Sequence, residues 1–182
     1  MNSIQEKIAK TGKMVSVVLF AACIFTVLAI ISFLWGIGLI SFSNGELSTS
    51  LFEYFKAEYH LMGGVGLFAS RRELAMLFLL GVGQLSIIFS VLLILYRVFK
   101  DISRNYTPFE KIQVVRMKRV AKLTLALGII SSFCDRIIMV SGYGSNIMDL
   151  NIVWIVIAMV IYCMAHIFDY GYQLQAQSDE TL

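Results

Sequence analysis

The chain is too apolar and too lightly charged for an ordinary soluble domain. Its 182 residues are 58% hydrophobic and 15% charged, and its mean hydropathy is +0.78, whereas a soluble domain carries about 25% charged residues. The length fits one domain, so we expect residues 1–182 to form a single membrane domain. The net charge of +3 is small, but its uneven distribution along the chain orients the whole protein.

Four apolar stretches are each long enough to cross a bilayer, which takes about 20 residues in a helix. They predict spans at about 15–40, 74–96, 120–140 and 150–168. The first stretch is much longer than the h-region of about 7–15 residues in a signal peptide, so we interpret it as an uncleaved helix. The predicted fold is all-α: a polytopic membrane protein with four transmembrane helices in an antiparallel bundle.

Residues 41–73 are predicted to form an outer linker with a short amphipathic helix on the membrane surface. Ser50 and Glu53 fit a capping box, and apolar side chains then recur four residues apart. His60 has no second histidine ligand in reach by spacing, and the three cysteines are scattered through apolar runs. These patterns predict neither a disulfide framework nor a metal site.

The hinge is the basic stretch between the second and third predicted spans. Residues 97–119, with Lys122 just beyond them, hold eight of the 15 Lys and Arg residues. Thr107, Pro108 and Glu110 fit the cap, first and third positions of a helix start. We therefore predict that the second helix continues out of the membrane and that the next helix begins at Pro108.

The hinge helix is predicted to carry an apolar stripe and a basic stripe. The apolar stripe includes Ile112 and Val115, and the basic stripe consists of Lys111, Lys118 and Lys122. The charges either contact anionic lipid or form a docking surface for an acidic partner, and direct binding of nucleic acid is not expected. The candidate contacts in the hinge are Arg97, Lys100, Arg104, Thr107, Pro108, Phe109, Glu110, Lys111, Lys118 and Arg119.

Five polar side chains in or near the predicted spans are further candidates. Gln84 lies mid-span beside glycines and either bonds a neighbouring helix or contacts a solute. Asp135 and Arg136 lie in the outer third of the third span, where an acid is a functional candidate by default, although consecutive residues do not face each other. His166 and Asp169 form a pair that senses pH or relays protons, or they mark the exit of the fourth helix into water.

The orientation follows from the distribution of Lys and Arg. The amino-terminal segment and the hinge carry eleven of them, the first outer loop carries three, and the second outer loop carries none. The positive-inside rule therefore predicts that both termini are cytoplasmic.

Two motifs resemble those of a known family. The first is Tyr96-Arg97-Val98-Phe99-Lys100 followed by Thr107-Pro108-Phe109-Glu110, and the second comprises Gly171, Leu174, Gln175, Asp179, Thr181 and Leu182. Both are similar to motifs of the bacterial domain-of-unknown-function 2975 family, which are four-helix membrane proteins. Gln113 and Gln177 depart from the asparagine and glutamate usual in that family. The resemblance implies a multi-pass protein of the bacterial cytoplasmic membrane and, because members are often encoded beside one, a small helix-turn-helix regulator as partner.

The leading functional hypothesis is a regulatory or sensory membrane protein that holds such a cytoplasmic partner. Its tail supplies four further candidate contacts, namely Leu174, Gln175, Asp179 and Thr181. The alternative is a small-solute or ion permease that acts as a homo-oligomer and uses the polar residues of the second and third spans. No spacing of a nucleophile and a base indicates an enzyme, and no pattern indicates a cofactor.

Overall fold

The protein is all-helical in the part of the chain that its computed structural model describes. This part comprises residues 3–42, 53, 71–105, 110–140 and 152–180, without the side chains of some residues at the helix ends. The four helices are α1 (Ser3–Phe42), α2 (Arg71–Asn105), α3 (Lys111–Val140) and α4 (Ile152–Glu180). The amphipathic helix predicted in the outer linker lies outside the described residues, except for Glu53, which is helical.

Three of the described helices are long and apolar enough to cross a membrane. Their spans are Ala9–Leu39, Phe78–Arg104 and Ile152–Ser178. The side chains of residues 133–140 lie outside the described residues. The span predicted at 120–140 therefore stays a prediction. Three apolar spans indicate a multi-pass membrane protein, in agreement with the composition.

Each helix packs against the next one in chain order, and within the pairs α1–α2 and α3–α4 the helices run antiparallel. Among the described residues α1 packs on α2, α2 on α3 and α3 on α4, and no other pair of helices has more than marginal contact. The bundle predicted from the sequence is therefore not confirmed: the described residues form an open row of two hairpins, α1–α2 and α3–α4. α3 lies inside this row and carries most of the buried side chains, including Met117, Val120 and Leu127.

A reciprocal pair of Phe-x-x-Gly segments joins α1 to α2. A Cβ placed on Gly36 would lie 2.8 Å from the ring of Phe78, and a Cβ placed on Gly81 would lie 2.6 Å from the ring of Phe33. The two phenylalanine rings are 5.1 Å apart and tilted. Because neither glycine has a side chain, each ring fits against the opposite backbone, which is how small residues bring membrane helices close together.

Hydroxyl groups within the apolar helices bond to their own backbone. Thr26 donates to the carbonyl of Ala22 at 2.8 Å, and Thr124 donates to that of Val120 at 2.9 Å. Such bonds to the residue four positions earlier satisfy a polar group where lipid offers no partner. These helices therefore tolerate Ser and Thr without losing their suitability for a bilayer.

Candidate functional site: the hinge end of the molecule

Four helix ends meet at one end of the molecule, which we call the hinge end. The start of α1 and the end of α2 approach closely there, since a Cβ placed on Gly12 would lie 3.2 Å from the Cβ of Ser103. α2 continues helically to Asn105, which confirms that it extends through the first turns of the hinge. Eleven of the 15 Lys and Arg residues belong to the four segments that meet here.

α3 begins at Lys111, three residues later than the start predicted at Pro108. Glu110 is not helical, and its carbonyl accepts the N–H groups of Gln113 at 2.9 Å and Val114 at 3.3 Å. Glu110 therefore occupies the N-cap position instead of the third helical position. Thr107, Pro108 and Phe109 lie outside the described residues.

Two ion pairs connect α3 to its neighbours on either side. Arg116 pairs with Asp101 of α2, and the Nζ atom of Lys118 lies 3.1 Å from a carboxylate oxygen of Asp169 on α4. All four side chains retain 23–35% of their surface, so each pair contributes only about 0–1 kcal/mol to stability. They link the three helices at this end and contribute little to overall stability.

Gln113 is fully buried, about one helical turn before Arg116. Arg116 lies 3.5 Å from its side-chain oxygen, and its Nε2 atom has no hydrogen-bond partner in the described part of the chain. Leaving a buried donor unpaired costs about 1–3 kcal/mol. Apart from its departure from the family pattern, Gln113 had no feature that predicted a site residue. The buried positions 113, 117, 120 and 124 recur at the spacing of one helix face. That periodicity is the sequence signal that would have predicted a buried Gln113.

The opposite side of α3, which we call its outer face, is exposed. It consists of Lys111, Ile112, Val115, Arg119 and Lys122. At 3.6 residues per turn these five positions fall within an arc of about 100° around the helix axis. Ile112 and Val115 retain 51% and 52% of their surface. The three cations have no ion-pair partner among the described residues. This face mixes exposed apolar groups with free positive charge.

The structure divides the predicted basic stripe between two surfaces. Lys111 and Lys122 belong to the outer face of α3, whereas Lys118 lies at the contact with α4 and is held there by Asp169. The ring of His166 is exposed and lies against the Tyr162 ring in a T-shaped arrangement, with centroids 4.8 Å apart. Its predicted pairing with Asp169 stays a prediction. The described contacts therefore show Asp169 in a structural ion pair.

The candidate cations of α2 have different surroundings. Arg97 and Arg104 are exposed. The Nζ atom of Lys100 donates to the hydroxyl of Tyr96 at 3.1 Å and lies 5.1 Å from the centre of the same ring. A cation over an aromatic ring is stabilised by about 0.5–1 kcal/mol even at an exposed position, and both residues are half-buried. Lys100 is thus held in place, while the two arginines project from the surface.

The tail is a direct continuation of α4. The helix passes the end predicted for the fourth span at 168 and ends at Glu180. Leu174 is 48% exposed, and Gln175 is also exposed. Thr181 and the side chain of Asp179 lie outside the described residues. The tail therefore presents an uncovered surface at the same end of the molecule as the outer face of α3.

The remaining intramembrane candidates are not brought together with the hinge end. Gln84 is half-buried in the middle of α2. Asp135 and Arg136 belong to the far end of α3, but their side chains lie outside the described residues. The described residues contain no cluster of three or more His, Cys, Asp or Glu side chains able to hold a metal.

Comparison of the chain with models of protein families, with curated proteins and with solved structures finds no match. The resemblance to the domain-of-unknown-function 2975 family therefore remains a prediction from the two short motifs. The class of protein that the fold supports is a multi-pass helical membrane protein.

Proposed function

We propose that this chain is a regulatory protein of the bacterial cytoplasmic membrane that holds a soluble, acidic protein partner at its hinge end. The proposal places both termini in the cytoplasm, because the eleven Lys and Arg residues of the hinge end favour that side. The resemblance to the domain-of-unknown-function 2975 family suggests a small helix-turn-helix regulator as the partner. Membership of that family is part of the proposal.

The observation that carries the proposal is the exposure of Ile112 and Val115. Lys122 is the last charged residue of α3 before a long uncharged run, and Ile112 lies ten residues before it, about 15 Å along the helix. The headgroup zone of a bilayer is only about 5–8 Å thick on each side. An upright α3 therefore carries Ile112 beyond the lipid, where half-exposed apolar groups are best covered by a protein.

The charges around these apolar groups indicate the chemistry of the partner. Lys111 and Arg119 flank Ile112 and Val115 on the outer face of α3 and have no ion-pair partner among the described residues. An acidic surface with an apolar centre complements this face, and its negative charge would speed the encounter. The ion pair between Lys118 and Asp169 supports the proposal further, because it shows that α3 and the tail helix are in contact at the hinge end.

The experiment is a crosslinked pull-down from native membranes with the full chain and two charge-reversed variants. Arg119→Glu reverses a cation on the outer face, and Lys13→Glu reverses an equally exposed cation on α1 as a matched control. We expect the wild type and Lys13→Glu to recover the same soluble acidic protein, identified by mass spectrometry, and Arg119→Glu to lose it.

Two results would count against the proposal. Recovery that is equal for Arg119→Glu and Lys13→Glu would remove the outer face of α3 as the docking surface. A wild-type chain that inserts normally and recovers no soluble protein above the background of an unrelated membrane protein would remove the holding function itself. A chain cut after Gln173 then reports separately whether the tail helix takes part in recovery.

A further inference from the structure

A groove runs between α1 and α2 inside the apolar part of the molecule. It has a volume of about 380 Å³, and its walls include Phe20, Ile24 and Leu93. The lining is apolar except at the hinge end, where Tyr96 and Arg97 close it. The groove thus has the chemistry of a lipid molecule, with a long apolar section and one charged end.

The depth of the groove matches one leaflet of a bilayer. Its walls belong to the spans Ala9–Leu39 and Phe78–Arg104. From Phe89 to Arg97 the groove is about 12 Å long, compared with about 15 Å for half of the hydrocarbon core. An acyl chain of the cytoplasmic-side leaflet fits this length when its headgroup lies at the level of Arg97.

The charged end of the groove is arranged for an anion. Arg97 is exposed and has no ion-pair partner among the described residues. The hydroxyl of Tyr96 accepts a hydrogen bond from Lys100, which places a second cation one turn further along α2. The Tyr96 ring packs against Phe20 with centroids 5.7 Å apart, so the mouth has a fixed wall on the α1 side. Arginine binds phosphate oxygens well because its planar donors match their geometry.

We propose that this groove binds one anionic phospholipid, with an acyl chain along Ile24 and Leu93 and the phosphate at Arg97. The same arrangement recurs independently in the second hairpin. A groove of about 290 Å³ between α3 and α4 is lined by apolar side chains and has Tyr162 and Lys122 on its walls. Two hairpins with unrelated sequences each combine an apolar groove, a tyrosine and a cation, which supports the chemistry assigned to the first groove.

The test uses the purified full chain in nanodiscs of phosphatidylcholine that contain phosphatidylglycerol with a photoactivatable acyl chain. We expect the crosslinks, mapped by mass spectrometry, to concentrate on the walls of the α1–α2 groove. Labelling by the phosphatidylglycerol probe should exceed labelling by a phosphatidylcholine probe. Arg97→Gln should lower that excess about fivefold, which is the effect of one cation near an anionic surface.

Two further variants make the result specific. Arg104→Gln removes a cation seven residues later on the same face of α2, about 10 Å beyond the groove, and should leave the labelling within twofold of wild type. Leu93→Trp fills the groove and should remove labelling by both lipids. Size-exclusion chromatography of each variant shows whether it remains folded.

Three results would overturn the assignment. Equal labelling by both lipids that Arg97→Gln leaves unchanged would show that the groove does not select an anion. Crosslinks spread evenly over all helices would show that no site exists, and a groove that neither lipid labels would show that lipid is not its occupant. Because the experiment contains no soluble partner, its outcome is independent of the proposed function.

Discussion

Replacing Gly128 with alanine should weaken the contact between α3 and α4. Gly128 is buried, and a Cβ placed on it would lie 2.7 Å from the Cβ of Trp154. That atom is fixed to the backbone of α4, so rotation of the indole ring does not relieve the clash. Carbon atoms pack at about 3.5–4.0 Å, so the two helices must move apart by about 1 Å at this point.

The size of the effect follows from two opposing terms. Inserting a methyl group into a tightly packed contact costs about 1–3 kcal/mol. Alanine is favoured over glycine inside a helix by about 1 kcal/mol, which offsets part of that cost. Gly83 of α2 is the matched control, because a Cβ there meets nothing within 4 Å. The difference in unfolding free energy between Gly83→Ala and Gly128→Ala should therefore be about 1–3 kcal/mol, the steric term alone.

The assay is unfolding by sodium dodecyl sulfate in mixed micelles. Trp154 fluorescence reports the α3–α4 contact directly in a chain whose only other tryptophan, Trp35, is changed to phenylalanine. We expect Gly83→Ala to be neutral or stabilising and Gly128→Ala to unfold at lower detergent. If the two alanine variants unfold within about 0.5 kcal/mol of each other, which is the usual limit of additivity, the close approach of α3 and α4 at Gly128 is refuted.

The same unfolding assay tests two further contacts, and chemical labelling tests the orientation. Gly36→Ala and Gly81→Ala each place a methyl group against one ring of the same phenylalanine pair. The change in unfolding free energy of the double variant should therefore differ from the sum of the two single changes by more than about 0.5 kcal/mol. Additive changes would mean that the rings do not couple the two sites. Lys118→Gln should cost about 0.5–1 kcal/mol because the ion pair is partly exposed, and Asp169→Asn should then add little. A full additional cost for Asp169→Asn would contradict the pair. Ser178→Cys in a cysteine-free chain should react with a membrane-impermeant maleimide only after the cells are opened, whereas labelling of intact spheroplasts would reverse the orientation.

The sequence predicts the helices of this protein better than it predicts their packing. Long uncharged runs mark spans because a buried backbone in lipid must be helical, and the extension of α2 through the hinge follows from its uninterrupted helical sequence. The face by which α1 packs on α2 has no such signal, because α1 is apolar on all sides, including exposed positions such as Phe25 and Trp35. Lipid covers these side chains as readily as protein does, so hydropathy does not distinguish a bundle from an open row.

The candidate site was predictable only where it depends on local sequence. The concentration of positive charge at the hinge end follows from counting Lys and Arg. The pairing of Lys118 with Asp169 joins residues 51 positions apart, and it depends on the register of α3 against α4, which the sequence pattern does not specify. The burial of Gln113 likewise depends on which side of α3 faces its neighbours. Tertiary packing, and not helix periodicity alone, decides which polar groups are free.

The continuity of α4 makes it a lever between the membrane and the tail. Its 29 residues form a rod of about 44 Å, so a change of 10° in its tilt moves one end relative to the other by roughly 8 Å. Helices change their tilt when the hydrocarbon thickness of the bilayer changes. Lys118 and Asp169 join the rod to α3 eleven residues before the rod ends. Any change in bilayer thickness that tilts α4 therefore displaces Leu174 and the rest of the tail, without any bend in the helix.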